Sequence, residues 1–153
     1  MKYKLLILAI CSVSFVFGQS NYRISNYSLV VKGTSNLHDW ESTAKEVRAN
    51  GNFTFTAGTL KSIDALYVEI PVKSIKSTKG SIMDNKTYDA LKADNFPNIG
   101  FKLGKINSLV KKGDGYDINA SGSLTIAGSS AYIDLYVKGK TGADGSITFS
   151  GSK

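Results

Sequence analysis

Tyr116-Asp117-Ile118-Asn119-Ala120-Ser121-Gly122-Ser123-Leu124-Thr125-Ile126 is the longest clean alternation in the chain. Apolar or small residues hold the even positions and polar ones the odd positions, which is the pattern of a strand with one buried face. Ala127-Gly128-Ser129 is a turn signal, and Ile133, Leu135 and Val137 then alternate with Tyr132, Asp134, Tyr136 and Lys138. A slip of one residue would turn every apolar side chain into water, so the phase is strongly specified. Two strands joined by so short a turn are antiparallel neighbours.

The same period extends outward from this hairpin. Downstream, Gly142-Ala143-Asp144-Gly145 is a turn and Ile147-Thr148-Phe149 begins a short last strand. Upstream, Lys112-Gly113-Asp114-Gly115 is a turn preceded by a strand carrying Ile99, Phe101 and Leu103. Ile63 to Val72 places Leu66, Val68, Ile70 and Val72 on one face, and Pro71, which lacks an N–H, belongs at an edge or strand end. Glu41 to Ala57 carries Phe53 and Phe55 in phase, as one strand interrupted near Asn50-Gly51 or two joined by a tight turn there. Tyr27, Leu29 and Val31 form a first strand that Gly33 ends. Only Ser81 to Asn95 departs from the pattern: Asp84 as N-cap, Tyr88 and Leu91 three apart and Phe96-Pro97 beyond predict a short helix near 84–94. About seven strands joined by turns predict an all-β, antiparallel sandwich or barrel, and closure would bury the apolar face while removing sheet edges. Gly51, Ala120 and Gly122 suit the bends and tight spots of a barrel.

Met1 to Gly18 has Lys2 and Lys4, then an uncharged apolar run from Leu5 to Phe17, the layout of a secretory signal and short for a membrane span. Cleavage between Gly18 and Gln19 leaves residues 19–153 as one domain, secreted or periplasmic. Cys11 is the sole cysteine and falls inside the leader, so the remainder has no disulfide framework and no Cys nucleophile. Acylation of Cys11 would require a small residue where Ile10 stands. The formal charge of +7 includes two leader lysines, and the rest is scattered, with Lys73, Lys76 and Lys79 and Lys111-Lys112 in loops. Without a basic stripe the sequence predicts no nucleic-acid partner, only a weak attraction to anionic lipid surfaces.

Gly33-Thr34-Ser35-Asn36-Leu37-His38-Asp39-Trp40 holds the single His and the single Trp. A zinc site wants three or four ligands, and with no second His and no Cys outside the leader no metal is expected. No nucleophile elbow accompanies His38-Asp39, so they read as a polar turn and the chain as no enzyme. Trp40 reads as a barrel-end plug or a ligand contact. Asp84, Asp89 and Asp94 recur every five residues and share no helical face.

Four blocks occur in order: Gly33 to Trp40; Ile70-Pro71-Val72-Lys73-Ser74-Ile75-Lys76-Ser77; Met83-Asp84 through Lys86-Thr87-Tyr88-Asp89-Ala90-Leu91-Lys92-Ala93-Asp94-Asn95-Phe96-Pro97-Asn98-Ile99; and Gly122-Ser123-Leu124-Thr125-Ile126-Ala127-Gly128. Together they resemble the YceI-like family across nearly the whole chain after the leader. The resemblance implies a lipocalin-like antiparallel β-barrel holding an apolar lipid of the polyisoprenoid or isoprenoid-quinone kind, with no catalytic residues and no cofactor. Relatives usually continue into further strand beyond a segment like Gly145 to Ser150. The resemblance therefore implies either a barrel with fewer strands or a chain lacking its C-terminal closing strand.

On this reading the lumen candidates are Trp40, Phe53, Phe55, Leu66, Val68, Ile70, Phe101, Leu103, Ile118, Leu124, Ile126, Ile133, Leu135 and Val137. The residues alone leave open whether those side chains fill the interior or line a cavity. A filled interior would make the chain a structural or protein-interaction β-domain; the resemblance implies room for lipid.

Overall fold

Period-two patterning becomes strand along most of the chain. The computed structural model describes residues 18–34 and 39–152. In order it contains β1 (Gly18–Arg23), β2 (Val30–Gly33), β3 (Trp40–Ala44), β4 (Arg48–Thr56), β5 (Thr59–Pro71), a single 3-10 turn (Val72–Ser74), β6 (Ile75–Ser77), α1 (Ser81–Ala90), β7 (Asn98–Lys112), β8 (Gly115–Ile126), β9 (Ser129–Thr141) and β10 (Ile147–Ser150). Seven strands form one antiparallel sheet in the order β1-β4-β5-β7-β8-β9-β10, and β2-β3-β6 form a second, smaller one. The large sheet curls into a half-barrel. Its end strands, β1 and β10, are not paired with each other.

The curl has a local origin. Register shifts interrupt the β4–β5 pairing at Asn52/Phe53 and Thr54/Phe55, and the β7–β8 pairing at Leu103/Lys105 and Ile106/Ser108. Each such irregularity bends the strand and increases its twist. Two hairpins are tight: Ala57-Gly58 joins β4 to β5 and Ala127-Gly128 joins β8 to β9, all four residues having positive φ. That conformation matches the twist of the strands it connects.

Several boundaries differ from the sequence expectation. Asn50-Gly51 lies inside β4, and the break in the segment falls at residues 45–47 instead. There Lys45 N–H donates to Ser74 O at 2.9 Å, Ser74 Oγ donates to Glu46 O at 3.2 Å and Val47 is buried, so the connection is tied down by tertiary contacts. The first strand is β1, upstream of Tyr27-Leu29-Val31, of which β2 keeps only Val30 to Gly33. Tyr27, Val30 and Val31 are exposed, so the alternation there marks no deeply buried face.

The helix begins at Ser81 with Gly80 as its N-cap, and Asp84 sits inside its first turn. Asp84 does not cap its own helix, because its Oδ1 accepts from Ser77 N–H on β6 at 2.6 Å while Lys76 Nζ lies 3.5 Å from Oδ2. From the same helix, Tyr88 Oη reaches the carbonyls of Lys73 and Ile75 at 3.0 Å each and accepts from Lys76 Nζ at 2.6 Å. These contacts pin α1 to the small sheet, which its exposed Ile82 and weakly patterned faces could not do by apolar burial.

Asp84→Ala is expected to destabilise the protein by about 1–3 kcal/mol, because it leaves the Ser77 N–H without its partner. Urea unfolding is the check; an unchanged midpoint would show that Asp84 contributes nothing to docking α1.

Candidate functional site

The register of the large sheet fixes which side chains share its concave face. One row crosses four strands as Val68, Phe101, Leu124 and Ala131; the next rows carry Leu103, Gly122 and Ile133, then Ile106, Ala120 and Leu135, then Leu109, Ile118 and Val137. On the other flank Gly51 opposes Leu66, Phe53 opposes Ile63 and Phe55 opposes Leu60. Phe53, Phe55, Leu66, Val68, Ile70, Phe101, Leu103, Ile118, Leu124, Ile126, Ile133, Leu135 and Val137 thus share one face. Gly122 is buried within that surface because Phe101 lies across it; a Cβ there would meet the Phe101 ring at 2.6 Å and Lys102 O at 2.5 Å.

Two zones follow along the strands. At the end bearing the β7–β8 turn, Phe53, Leu60, Ile63, Tyr116, Ile118 and Ala120 form a closed core. Tyr22, Phe55, Leu66, Leu103, Ile106, Leu109, Val137, Ile147 and Phe149 pack against it. Toward the opposite end Val68, Ile70, Leu124, Ile126, Ile133 and Leu135 are only half-buried. The result is a half-buried apolar strip, with Phe101 buried within it, above a side-chain floor. Ile106 and Leu109 escape a period-two reading because the two irregularities in β7 turn the spacing from Leu103 into steps of three.

Chain connections put the small sheet and α1 at the open end, since β2 and β3 lie between the end of β1 and the start of β4, and β6 and α1 between the end of β5 and the start of β7. Phe96, leaving α1, lies over the β8–β9 hairpin, so close that a Cβ on Gly128 would meet its ring at 2.4 Å. Trp40 belongs to this end and not to a row of the large sheet: it stands on β3 opposite Gly33, half-buried, with its indole over the Gly33 backbone. His38 lies outside the described residues.

The convex face is polar. Asn107 Nδ2 donates to Ser121 Oγ, whose hydroxyl donates to Asp134 Oδ1, while Tyr132 and Tyr136 on either side are 63% and 67% exposed. At the floor end, the ammonium of Lys112 at 2.6 Å holds the Asp117 carboxyl below its ordinary range, and Lys140 at 2.7 Å does the same for Asp114. Two solvent-open hollows of about 720 and 630 Å³ lie beside the β10 edge. Both are walled by Lys112, Asp117, Lys138 and Ser150, and the first also by Val110, Ile118, Tyr136 and Val137. Among the described residues no group of three or more His, Cys, Asp or Glu could hold a metal ion. The arrangement is suited to apolar contact.

The class the fold and this surface define is a β-barrel-like binding protein. The YceI-like domain matches residues 22–153, and the chain belongs to that family. The Burkholderia cenocepacia BcnA crystal structure is similar at 23% identity and a TM-score of 0.56, over 80% of this chain and 72% of BcnA. The Campylobacter jejuni YceI protein is similar at 24% identity and a TM-score of 0.55, over 96% of this chain and 75% of that one. A mutant of the C. jejuni protein with a monobromobimane guest gives 24% identity and a TM-score of 0.54 over the same shares. These likenesses bear on the fold. No curated protein matches the chain significantly.

Since Trp40 is the single tryptophan, its fluorescence reports on the open end. Gly33→Ala would place a Cβ 2.3 Å from Trp40 Cζ2 and is expected to displace the indole, shifting emission to the red and costing about 1–3 kcal/mol. Unchanged emission would show that the indole does not rest on Gly33.

Proposed function

We propose that this chain binds an apolar lipid of the polyisoprenoid or isoprenoid-quinone kind on the open part of the concave face, as a carrier or shield in the periplasm or outside the cell. The observation that carries this reading is the half-buried strip of Val68, Ile70, Leu124, Ile126, Ile133 and Leu135, contiguous with the core yet uncovered. Burial against it recovers about 0.8 kcal/mol per methylene-sized group relative to water. A bilayer offers nearly the same, so such a protein hands lipid over instead of outcompeting membranes for it. Membership of the YceI-like family supports the ligand class and the compartment.

Trp40 adds an aromatic wall at the mouth, and the basic surface gives weak, transient attraction to an anionic membrane. Residues 1–18 act as a leader and 19–153 as the binding domain. Exported protein is expected to have the intact mass of a chain starting at Gln19, with or without pyroglutamate formation; a mass reporting lipid on Cys11 would overturn that boundary.

The occupied strip is tested by two tryptophans placed one residue apart on β8. Leu124→Trp, on the concave face, is expected to displace lipid, whereas Thr125→Trp, on the convex face, is expected to retain it. Overpacking costs about 1–3 kcal/mol, so circular dichroism must first show both variants folded. Organic extracts of natively purified protein, read by mass spectrometry, then give the lipid content. Loss from Thr125→Trp with retention by Leu124→Trp would invert the facing. An extract free of lipid for the parent as well would favour a structural or interaction domain, the reading that the packed floor supports.

A further inference from the structure

The floor of the half-barrel is made by side chains meeting between the two edges of the sheet, and not by backbone pairing. Phe53 on β4 stacks on Phe149 of β10 with ring centroids 5.8 Å apart, and Tyr22 of β1 meets Phe53 edge-on at 4.9 Å. Tyr22 Oη donates to Gly145 O at 3.1 Å across the same gap. Tyr116 completes the floor, with its hydroxyl accepting from Leu60 N–H at 2.9 Å. Gly139 lies beside this floor, where a Cβ would press on Ile118 Cδ1 at 3.1 Å and make ordinary contact with Phe149 at 3.5 Å. Ala120 is the step at the top of this packed zone, 8% exposed and flanked in register by Ile106 and Leu135.

We infer that the Phe53–Phe149 pair is a length stop: it confines a bound apolar chain to the zone between Ala120 and the open end, and so sets the chain length at which added isoprene units cease to add affinity. The inference rests on the lipid reading above. From Ala120 to Ile126 the strand advances about 20 Å, which is the depth available. Carbon atoms beyond that depth remain in water or in another partner, and their burial term is lost. The protein would therefore recognise the end segment of a long isoprenoid, or the whole of a short one, and leave the other end exposed for transfer.

The test measures equilibrium binding of geraniol, farnesol, geranylgeraniol and geranylfarnesol to the parent chain and to two variants that move the floor in opposite directions. In the parent, affinity is expected to rise with length and then level off, the last two prenols agreeing within about twofold. Phe149→Ala lowers the floor, and geranylfarnesol is expected to gain about fivefold or more over geranylgeraniol, a modest share of what burying one further unit can yield. Ala120→Leu raises the floor and is expected to move the levelling point to a shorter prenol. Circular dichroism and thermal melting establish that each variant is folded. A general loosening would weaken every prenol alike and leave the levelling point where it was; that pattern in both variants overturns the length stop while sparing the lipid reading. If the parent binds none of the four prenols, the lipid reading itself fails, and the length stop with it.

Discussion

A sheet with one apolar face, whose end strands do not pair with each other, has to hide the face without the backbone hydrogen bonds of a closed barrel, and the contact that manages this is aromatic. Phe53, Phe149 and Tyr22 come from strands at or next to opposite edges of the sheet and meet in the interior. Such aromatic pairs add about 0.5–1.5 kcal/mol each beyond the area they bury. Their larger effect here is geometric, because they hold β10, which pairs with β9, against the curl of the sheet. The closed core, the floor and the depth of the open strip all depend on that meeting.

The bends that make the meeting possible sit in the long strands. Without the irregularities in β4–β5 and β7–β8, thirteen- and fifteen-residue strands would form a gently twisted open sheet, and its edges would stay far apart. The same irregularities reset the facing of β7, so that Leu103, Ile106 and Leu109 all point inward although their spacing is three. Packing and curvature are therefore one device: the residue that bends the strand also keeps its apolar side chains in the core.

The proposed function follows from how unevenly the interior is filled. One end is packed by large aromatics, while the other carries apolar side chains without a cover, and the small sheet and α1 are attached beside that uncovered end. Polar contacts from Asp84 and Tyr88 fix the helix to β6, so the mouth has a defined edge of its own. A surface that is apolar, concave and open at one end is suited to reversible binding of a chain-like lipid. The convex side carries the Asn107–Ser121–Asp134 hydrogen bonds, with Ser121 buried, and presents Tyr132 and Tyr136 to solvent.

By itself the sequence determined the antiparallel all-β class, the tight turn at Ala127-Gly128, the inward phase of Ile118 through Ile126 and of Ile133 through Val137, and the one helix. Each of these is written in short-range periodicity or turn chemistry, where neighbouring residues carry the whole signal. Four ordered blocks also made the YceI-like family legible before any geometry was known. Tertiary structure alone decided the rest. It moved Asp84 from a cap to a partner of Ser77, placed the break after β3 at residues held by Ser74, and brought Ile106 and Leu109 inward through irregularities that local pattern does not register. It also divided the apolar face into a filled floor and an open strip. That division depends on aromatic residues more than ninety positions apart in the chain, Phe53 and Phe149, and no local period encodes a contact between them.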